Sequence, residues 1–385
     1  MGQQDQVFHI PEPPMPKQRE RILVFGVGGG GGNALNHIID SGLEGVEYVA
    51  ANTDSRALGV NRSPNKIILG EKLTKGLGAG ANPQVGMEAA RESIDRIRDF
   101  INAADMVFVT AGMGGGTGTG AAPIIAEIAK ENGSLVVAVV TSPFSFEGRT
   151  RISVAKDGIV RLKDKVDALL VVENDRLLNV VNEKTKSTDA YKMANEVLRQ
   201  AVQGVTDLIL KPGLINVDFA DIRTVMQQSG SAIMGIGTGE GDNRAELAAK
   251  SAIKSPLMSM PISGAKGILI NIAGTSELTL FEISKAADII NAAAVEDAQI
   301  IFGHTIDEDM GGVVKVTVIA TGFNGMEGGD SGGKLPKGGP SVWTKGTGRI
   351  PLPAQDGSPE DLFQDMPNRT GYDTPTIFRL KGGKK

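Results

Sequence analysis

The sequence predicts an α/β protein in which a Rossmann-like parallel-sheet domain is followed by a long helix and a second, mixed α/β domain. Three observations lead to this fold class. Short apolar runs typical of buried strands alternate with helical patterns over residues 21–187, as in parallel sheets whose two faces are covered by helices. Glycine-rich loops follow several of these runs, and residues 188–211 keep one helical periodicity throughout.

Composition excludes several classes of protein. The 385 residues are enough for two domains with a core each. A net charge of −5 provides no broad basic surface for nucleic acid, and the lack of cysteine excludes disulfides and thiolate chemistry. The three histidines are far apart and form no metal-ligand spacing. Since no apolar run reaches the length of a membrane-spanning helix, we expect a cytoplasmic protein that reaches a membrane only through partners.

Shifts in composition divide the chain into six segments. Proline-rich and glycine-rich stretches near the two ends predict disorder, because they contain too little apolar surface to form a core. In order, we expect a disordered N-terminal extension at 1–20, the parallel-sheet domain at 21–187, the central helix at 188–211, a second domain serving interfaces at 212–325, a disordered linker at 326–369 and a C-terminal peptide at 370–385.

The first ordered element is a predicted strand at residues 21–27, followed by a glycine loop at 28–32 and a helix at 33–41. Gly26, Gly28 and Gly31 match the G-x-G-x-x-G pattern of dinucleotide-binding folds. On this motif alone, an NAD-dependent oxidoreductase of the Rossmann type is an open alternative. The sequence offers no constellation of His, Cys or Tyr for hydride chemistry.

The stretch at residues 111–121, AGMGGGTGTGA, lies between a predicted strand at 105–110 and a predicted helix that follows it. Backbone N–H groups of a glycine-rich loop can form a concave anion site, to which a helix N-terminus adds positive potential. Such a site suits a polyphosphate, and we expect Thr117 and Thr119 to add hydroxyl donors. The alternative is a flexible glycine turn. Because no Walker lysine is present, backbone amides must hold the phosphates.

The remaining elements follow the same alternation. In the central helix, apolar positions recur in steps of three or four from Ala190 to Leu208, which predicts one buried face. Further strands are predicted at 47–52, 66–69, 135–140, 167–172, 232–239, 267–273 and 313–320, and further helices at 86–100, 244–254 and 278–293.

The run Gly-Gly-Gly-Thr-Gly-Thr-Gly at residues 114–120 resembles the signature loop of the tubulin and FtsZ family of GTPases, in the form usual for FtsZ. The likeness spans about residues 21–323. It implies the tubulin/FtsZ fold, binding of GTP and GDP with Mg²⁺, and hydrolysis of GTP. It also implies head-to-tail assembly of the chain with itself into filaments of the cytokinetic ring, at midcell beneath the inner membrane of a bacterium. A tubulin-like structural protein without turnover is a further alternative.

The resemblance also implies which residues contact the nucleotide. Glu147 and Arg151 match the ribose side, and Asn195 matches the residue that faces guanine. From the residues alone, Glu147 and Arg151 can be an exposed i,i+4 pair, Asn195 can be solvated, and Asn33 can cap its helix. The positions that match the family's phosphate contacts are Gly29, Gly30, Gly31, Gly32, Asn33, Gly116, Thr117 and Gly118.

Residues 216–221, NVDFAD, are the second segment whose side chains are candidates for catalysis. On the residues alone, Asp218 caps a helix and Asp221 favours its dipole. The string resembles the family's synergy loop, which reaches into the nucleotide site of the next subunit. By that resemblance Asp218 and Asp221, assisted by Asn216, orient the attacking water there. One subunit would then bind GTP but hydrolyse it poorly alone.

The C-terminal peptide carries a third set of residues. Asp373, Pro375, Phe378 and Arg379 resemble the family peptide that binds membrane tethers such as FtsA and other division proteins. Thr374 replaces an apolar residue of that pattern, and Ile377 adds one position. A disordered basic end is the alternative interpretation.

Overall fold

A computed structural model of the chain describes residues 20–178, 185–211, 213, 215 and 217–323. Asn216 lies outside these residues. The two chain ends, for which disorder is predicted, lie outside them as well, and with them the four residues of the C-terminal peptide: Asp373, Pro375, Phe378 and Arg379. The strands are β1 Ile22–Val27, β2 Val46–Asn52, β3 Asn65–Ile68, β4 Met106–Gly112, β5 Leu135–Ser142, β6 Ala168–Glu173, β7 Gly230–Gly239, β8 Gly267–Gly274, β9 Gln299–Ile306 and β10 Val314–Thr321. The α-helices are α1 Gly28–Asp40, α2 Ser55–Gly59, α3 Glu71–Thr74, α4 Pro83–Glu92, α5 Ile94–Ile101, α6 Thr117–Glu131, α7 Arg149–Lys163, α8 Asn174–Leu177, α9 Ser187–Leu210, α10 Phe219–Met226, α11 Arg244–Ile253 and α12 Leu280–Ala293.

The ten strands form one sheet in the order β3-β2-β1-β4-β5-β6-β7-β10-β8-β9. Strands β1 to β6 are all parallel, which confirms the Rossmann-like sheet. β7 joins β6 in parallel, β10 is antiparallel to β7 and β8, and β9 is parallel to β8, which confirms a mixed second region. The boundaries between the two expected domains stay a prediction, because one sheet runs through both.

The core has a layer on each face of the sheet. Ile22 and Val24 of β1 pack with α1 and the central helix α9 on one face, whereas Leu23 and Phe25 pack with the residues of α4 to α7 on the other. This is the alternation that strand geometry imposes. In the second region, α11 and α12 cover the apolar side chains of β8 and β10.

The central helix α9 confirms the predicted periodicity. Val197, Ala201, Val205 and Leu208 are all buried. They belong to the same cluster as apolar residues of β1, β6, β8 and β10. The helix therefore packs against both halves of the sheet.

The helices after the two glycine loops begin earlier than the sequence predicts. α1 starts at Gly28 rather than at residue 33, and α6 starts at Thr117 rather than at residue 121. Glycine is a poor helix former, but close packing against neighbouring elements requires glycine in these first helical turns. A Cβ at Gly120 would lie 2.0 Å from the carbonyl oxygen of Pro83 in α4, so only glycine allows α4 and α6 to pack at this distance. The helix predicted at 86–100 is interrupted at Ser93 and becomes α4 and α5.

Gly120→Ala should therefore destabilise the fold. The new methyl group must push α6 away from α4, an overpacking cost of about 1–3 kcal/mol, and the melting temperature should fall. Gly59→Ala is the matched control, because this helical glycine has no atom within 4 Å of the position of a Cβ. Equal melting temperatures for the two variants would contradict this account of α6.

Candidate nucleotide site

Two helix N-termini meet where the sheet order reverses. β1 and β4 are parallel neighbours, so their carboxyl ends share one edge of the sheet, and ligands of such sheets bind at this switch point. α1 and α6 begin there. A Cβ at Gly28 would lie 2.8 Å from the backbone nitrogen of Gly118, so the two helix starts are in contact. The first N–H groups of each helix lack intrahelical acceptors, which creates a site for an anion.

The glycines of the two loops serve different purposes. Gly29 and Gly30 are exposed, and a Cβ at Gly29 would meet no atom within 4 Å. Gly31, Gly116 and Gly118 are buried. A Cβ on them would lie 2.3 Å from Thr110 O, 2.8 Å from Ala79 Cβ and 2.7 Å from Gly112 O, respectively. These three glycines allow the helices to pack closely enough for the exposed backbone to form the site.

The hydroxyls of the two threonines in the signature loop have different partners. Thr119 is fully buried, and its hydroxyl accepts the N–H of Gly114 at 2.9 Å. It holds the loop in shape, so the expectation that it donates to a phosphate is not met. Thr117 is the first residue of α6, and its hydroxyl oxygen lies 2.6 Å from that of Thr53.

A cleft beside the loops brings five of the predicted residues together. They come from the start of α1, the turn after β5, α7 and the central helix. Gly29 and Gly32 line a second cavity with Asn61, and Asn33 borders both spaces. Because α1 begins at Gly28, Asn33 is not its cap. The predicted residues that line the cleft are Gly30, Asn33, Glu147, Arg151 and Asn195, and the further lining residues include Thr141, Pro143, Asn174 and Tyr191.

Glu147 and Arg151 form the i,i+4 ion pair, but they do so inside the cleft. Arg151 Nη1 lies 3.0 Å from Glu147 Oε2, and Glu147 Oε1 accepts the N–H of Phe144 at 3.0 Å. The Glu147 side chain is only 10% exposed. A Cβ at Gly114, whose φ is +94°, would lie 2.7 Å from the carbonyl oxygen of Arg151. Arg151 therefore packs on the signature loop, and its outer half is open to a ligand.

Tyr191 forms an aromatic wall of the cleft that sequence reasoning missed. Its ring meets that of Phe144 edge to face, with centroids 5.4 Å apart. Burial, followed by the charge of Glu147, raises the pKa of Tyr191, so the phenol stays protonated and can donate a hydrogen bond. Its position one helical turn before Asn195 could have indicated it, since residues i and i+4 share a helix face.

Asn174 is the second side chain that the sequence analysis missed. It begins α8 directly after β6 and is 4% exposed. Its Oδ1 is buried and has no hydrogen-bond partner, although buried polar atoms are nearly always paired. Because Asn174 and the half-buried Asn195 line the same cleft, two amides are available to the edge of a nucleobase.

The acidic residues of the segment at 216–221 lie outside the cleft. Asp218 and Asp221 are exposed at the start of α10 and do not line the cleft. Asp218 occupies the N-cap position, yet its carboxylate makes no capping hydrogen bond. Within the described ranges, no group of three or more His, Asp or Glu side chains is arranged to hold a metal ion.

Comparisons with known proteins agree with this geometry. Residues 21–182 match the family model "Tubulin/FtsZ family, GTPase domain", and residues 230–324 match "FtsZ family, C-terminal domain". No helix in the described part of the chain is long and apolar enough to cross a membrane.

Solved structures show the same fold. An empty FtsZ dimer from M. jannaschii is 45% identical, with a TM-score of 0.76, over 80% of this chain and 89% of that one. CetZ1 from Haloferax volcanii, a GDP-bound monomer, is 23% identical with a TM-score of 0.70, over 80% and 96% of the two chains. CetZ2 from the same organism, a GTPγS-bound protofilament, is 21% identical with a TM-score of 0.66, over 78% and 92%. The two CetZ chains support the fold alone.

Asn174→Ala should weaken guanine nucleotide binding. Loss of a buried hydrogen-bond acceptor costs about 1–3 kcal/mol, or roughly fivefold to 150-fold in the dissociation constant. Calorimetric titration of the purified protein with GDP measures this dissociation constant. Asn243→Ala, at an exposed helix start without a capping bond, is the control. If both variants bound GDP as tightly as the parent chain, Asn174 would have no part in recognising the base.

Proposed function

Because the chain belongs to the FtsZ family of GTPases, we propose that it assembles head to tail into the filaments of a bacterial division ring and hydrolyses GTP at its subunit interfaces. In each subunit the phosphates bind the N-termini of α1 and α6. The ribose lies against Glu147 and Arg151, and guanine lies between Tyr191 and the amides of Asn174 and Asn195.

One observation carries the proposal that the active site is shared. Among the described residues that line the cleft, Glu147 is the one carboxylate. Its two oxygens are engaged by Arg151 and by the N–H of Phe144. It is therefore not free to orient a water molecule at the γ-phosphate. The carboxylates of Asp218 and Asp221 are exposed and make no hydrogen bond or ion pair with another described residue, but they lie outside the cleft. A second subunit can supply them, with Asn216 beside them as the resemblance implies.

Exposed apolar side chains support association between copies. Phe146, stacked on Phe144 beside the cleft, is 66% exposed, and Leu77 on the loop after α3 is 76% exposed. In the second region, Leu280 and Phe281 at the start of α12 are 78% and 72% exposed. Such side chains are unusual on a monomer when they cluster, and they are typical of interfaces. The dimer of the M. jannaschii relative supports the same proposal.

Mg²⁺ would accompany the nucleotide. The described residues hold no acidic cluster for it, which fits an ion held mainly by phosphate oxygens and water. When bound, it neutralises phosphate charge. The residues of this chain orient the nucleotide through backbone amides at one end and Arg151 beside the ribose.

The cellular part of the proposal depends on the sequence resemblance. Residues 326–369 would link the GTPase to the peptide at 370–385, through which tethers such as FtsA would hold filaments beneath the membrane at midcell. The two-domain division, with the GTP-binding domain at 21–187 and the interface domain at 212–325, belongs to the same proposal. The NAD-dependent alternative loses its support, because the matched family model describes a GTPase.

GTPase activity should depend on protein concentration. Dilute monomers lack the carboxylates of a neighbour, so the phosphate released per subunit should rise above a threshold concentration, together with light scattering. Filaments that form without phosphate release would favour the non-hydrolysing alternative. Equal activity per subunit at all concentrations would contradict the shared site.

Asp221→Ala should keep nucleotide binding and lose turnover. Removal of a group that orients or polarises the attacking water lowers the rate by about a hundredfold or more, whereas the cleft is unchanged. Asp242→Ala, which removes another exposed carboxylate, is the control and should retain normal activity. Normal phosphate release by Asp221→Ala would refute the role assigned to this residue.

A further inference from the structure

We propose that Arg223 is a positioning residue for GTP hydrolysis, which fixes α10, and with it the carboxylate of Asp221, against the nucleotide-binding half of its own subunit. The inference rests on the proposed function and adds to it. Arg223 does not line the cleft of its own subunit, and we assign its effect on turnover to Asp221, which it orients.

The contacts of Arg223 cross from the second region to the first. Arg223 lies on α10, and its Nη1 and Nη2 donate to the carbonyl oxygens of Gly133 and Asp105, each at 3.3 Å. Its guanidinium carbon lies 5.2 Å from the centroid of the Phe219 ring, which restrains the side chain further. One guanidinium thus binds the segment after α6 and the residue that precedes β4.

The electrostatic potential at the C-terminus of α6 favours the position of the Arg223 guanidinium. Gly133 follows α6 with a φ of +83°, and its N–H donates to the carbonyl of Lys130 at 3.0 Å, as at many helix C-termini. The carboxyl end of a helix carries negative potential, which a cation complements. The opposite end of α6 begins at Thr117 in the signature loop. A single helix therefore contacts the nucleotide site at one end and Arg223 at the other.

Buried apolar side chains and polar contacts together hold α10 in place. Ile222, Val225 and Met226 are buried and set how deeply the helix packs. The carbonyl of Val225 accepts the hydroxyl of Thr321 on β10 at 3.0 Å, which fastens one side. Arg223 fastens the side that faces the nucleotide-binding half. Successive helical residues differ by about 100° in direction, so a rotation of α10 would redirect the exposed carboxylate of Asp221.

Arg223→Ala and Arg223→Lys test the inference, each alone and combined with Asp221→Ala. Arg223→Ala should lower kcat about tenfold, the equivalent of a charge-assisted hydrogen bond. KM for GTP and the affinity of dilute protein for GDP should not change. Arg223→Lys should recover part of the loss, because an ammonium can still donate to one carbonyl. Arg96→Ala is the control, since it removes only an exposed ion pair with Glu71.

The combined variants separate positioning from a merely structural role. In the Asp221→Ala background, Arg223→Ala should reduce the residual turnover by less than about twofold, because the residue through which it acts is gone. An equal loss in both backgrounds, a parallel loss of GDP affinity or unchanged turnover would overturn the inference. If Asp221→Ala loses turnover and Arg223→Ala does not, this inference alone fails. If Asp221→Ala turns over normally, the shared site fails and the inference with it.

Discussion

Close packing of two glycine-rich helix starts is the constraint on which the rest of the structure depends. β1 and β4 are neighbours, and the chain leaves both at the same edge of the sheet to enter α1 and α6. A Cβ at Gly31 or Gly118 would lie 2.3 Å or 2.7 Å from a carbonyl oxygen of β4, so larger residues would push α1 or α6 away from this strand. Without a Walker lysine, the backbone amides at these helix starts are what the chain offers to phosphate. The cleft, the aromatic wall and the central helix are arranged around them.

The chemistry is divided between two parts of one chain. The cleft can hold and orient a nucleotide, but its buried carboxylate is already engaged by Arg151. The free carboxylates stand on α10, which packs at the junction of the two regions. α9 carries Tyr191 and Asn195 in the cleft, and its buried face reaches Leu208 among residues of both regions. Under the proposed function, nucleotide binding is a property of the subunit, and hydrolysis is a property of the subunit pair.

Much of the fold could be predicted from the sequence, because periodicity reports which faces are buried. The six parallel strands and the central helix followed from this signal alone. The early starts of α1 and α6 could not be predicted, because glycine has a low helix propensity. Glycine is required there by tertiary contacts, with Thr110 for α1 and with Pro83 for α6. β9 and α7 were also missed. For the site, glycine spacing located the phosphate loops, whereas Glu147 and Asn195 needed the family resemblance. Asn174 became visible only through its burial in the cleft, whereas the spacing of Tyr191 and Asn195 on one helix face could have indicated Tyr191.

The shared active site is the central claim, and mixing two inactive variants tests it most directly. Asp221→Ala keeps an intact cleft, and Arg151→Ala keeps intact acidic residues. In an equimolar mixture, roughly a quarter of head-to-tail interfaces should pair an intact cleft with an intact α10. The mixture should then release phosphate at a rate well above the sum of the two proteins measured separately. A rate equal to that sum, in filaments that contain both variants, would mean that each chain completes its own site and would contradict the account.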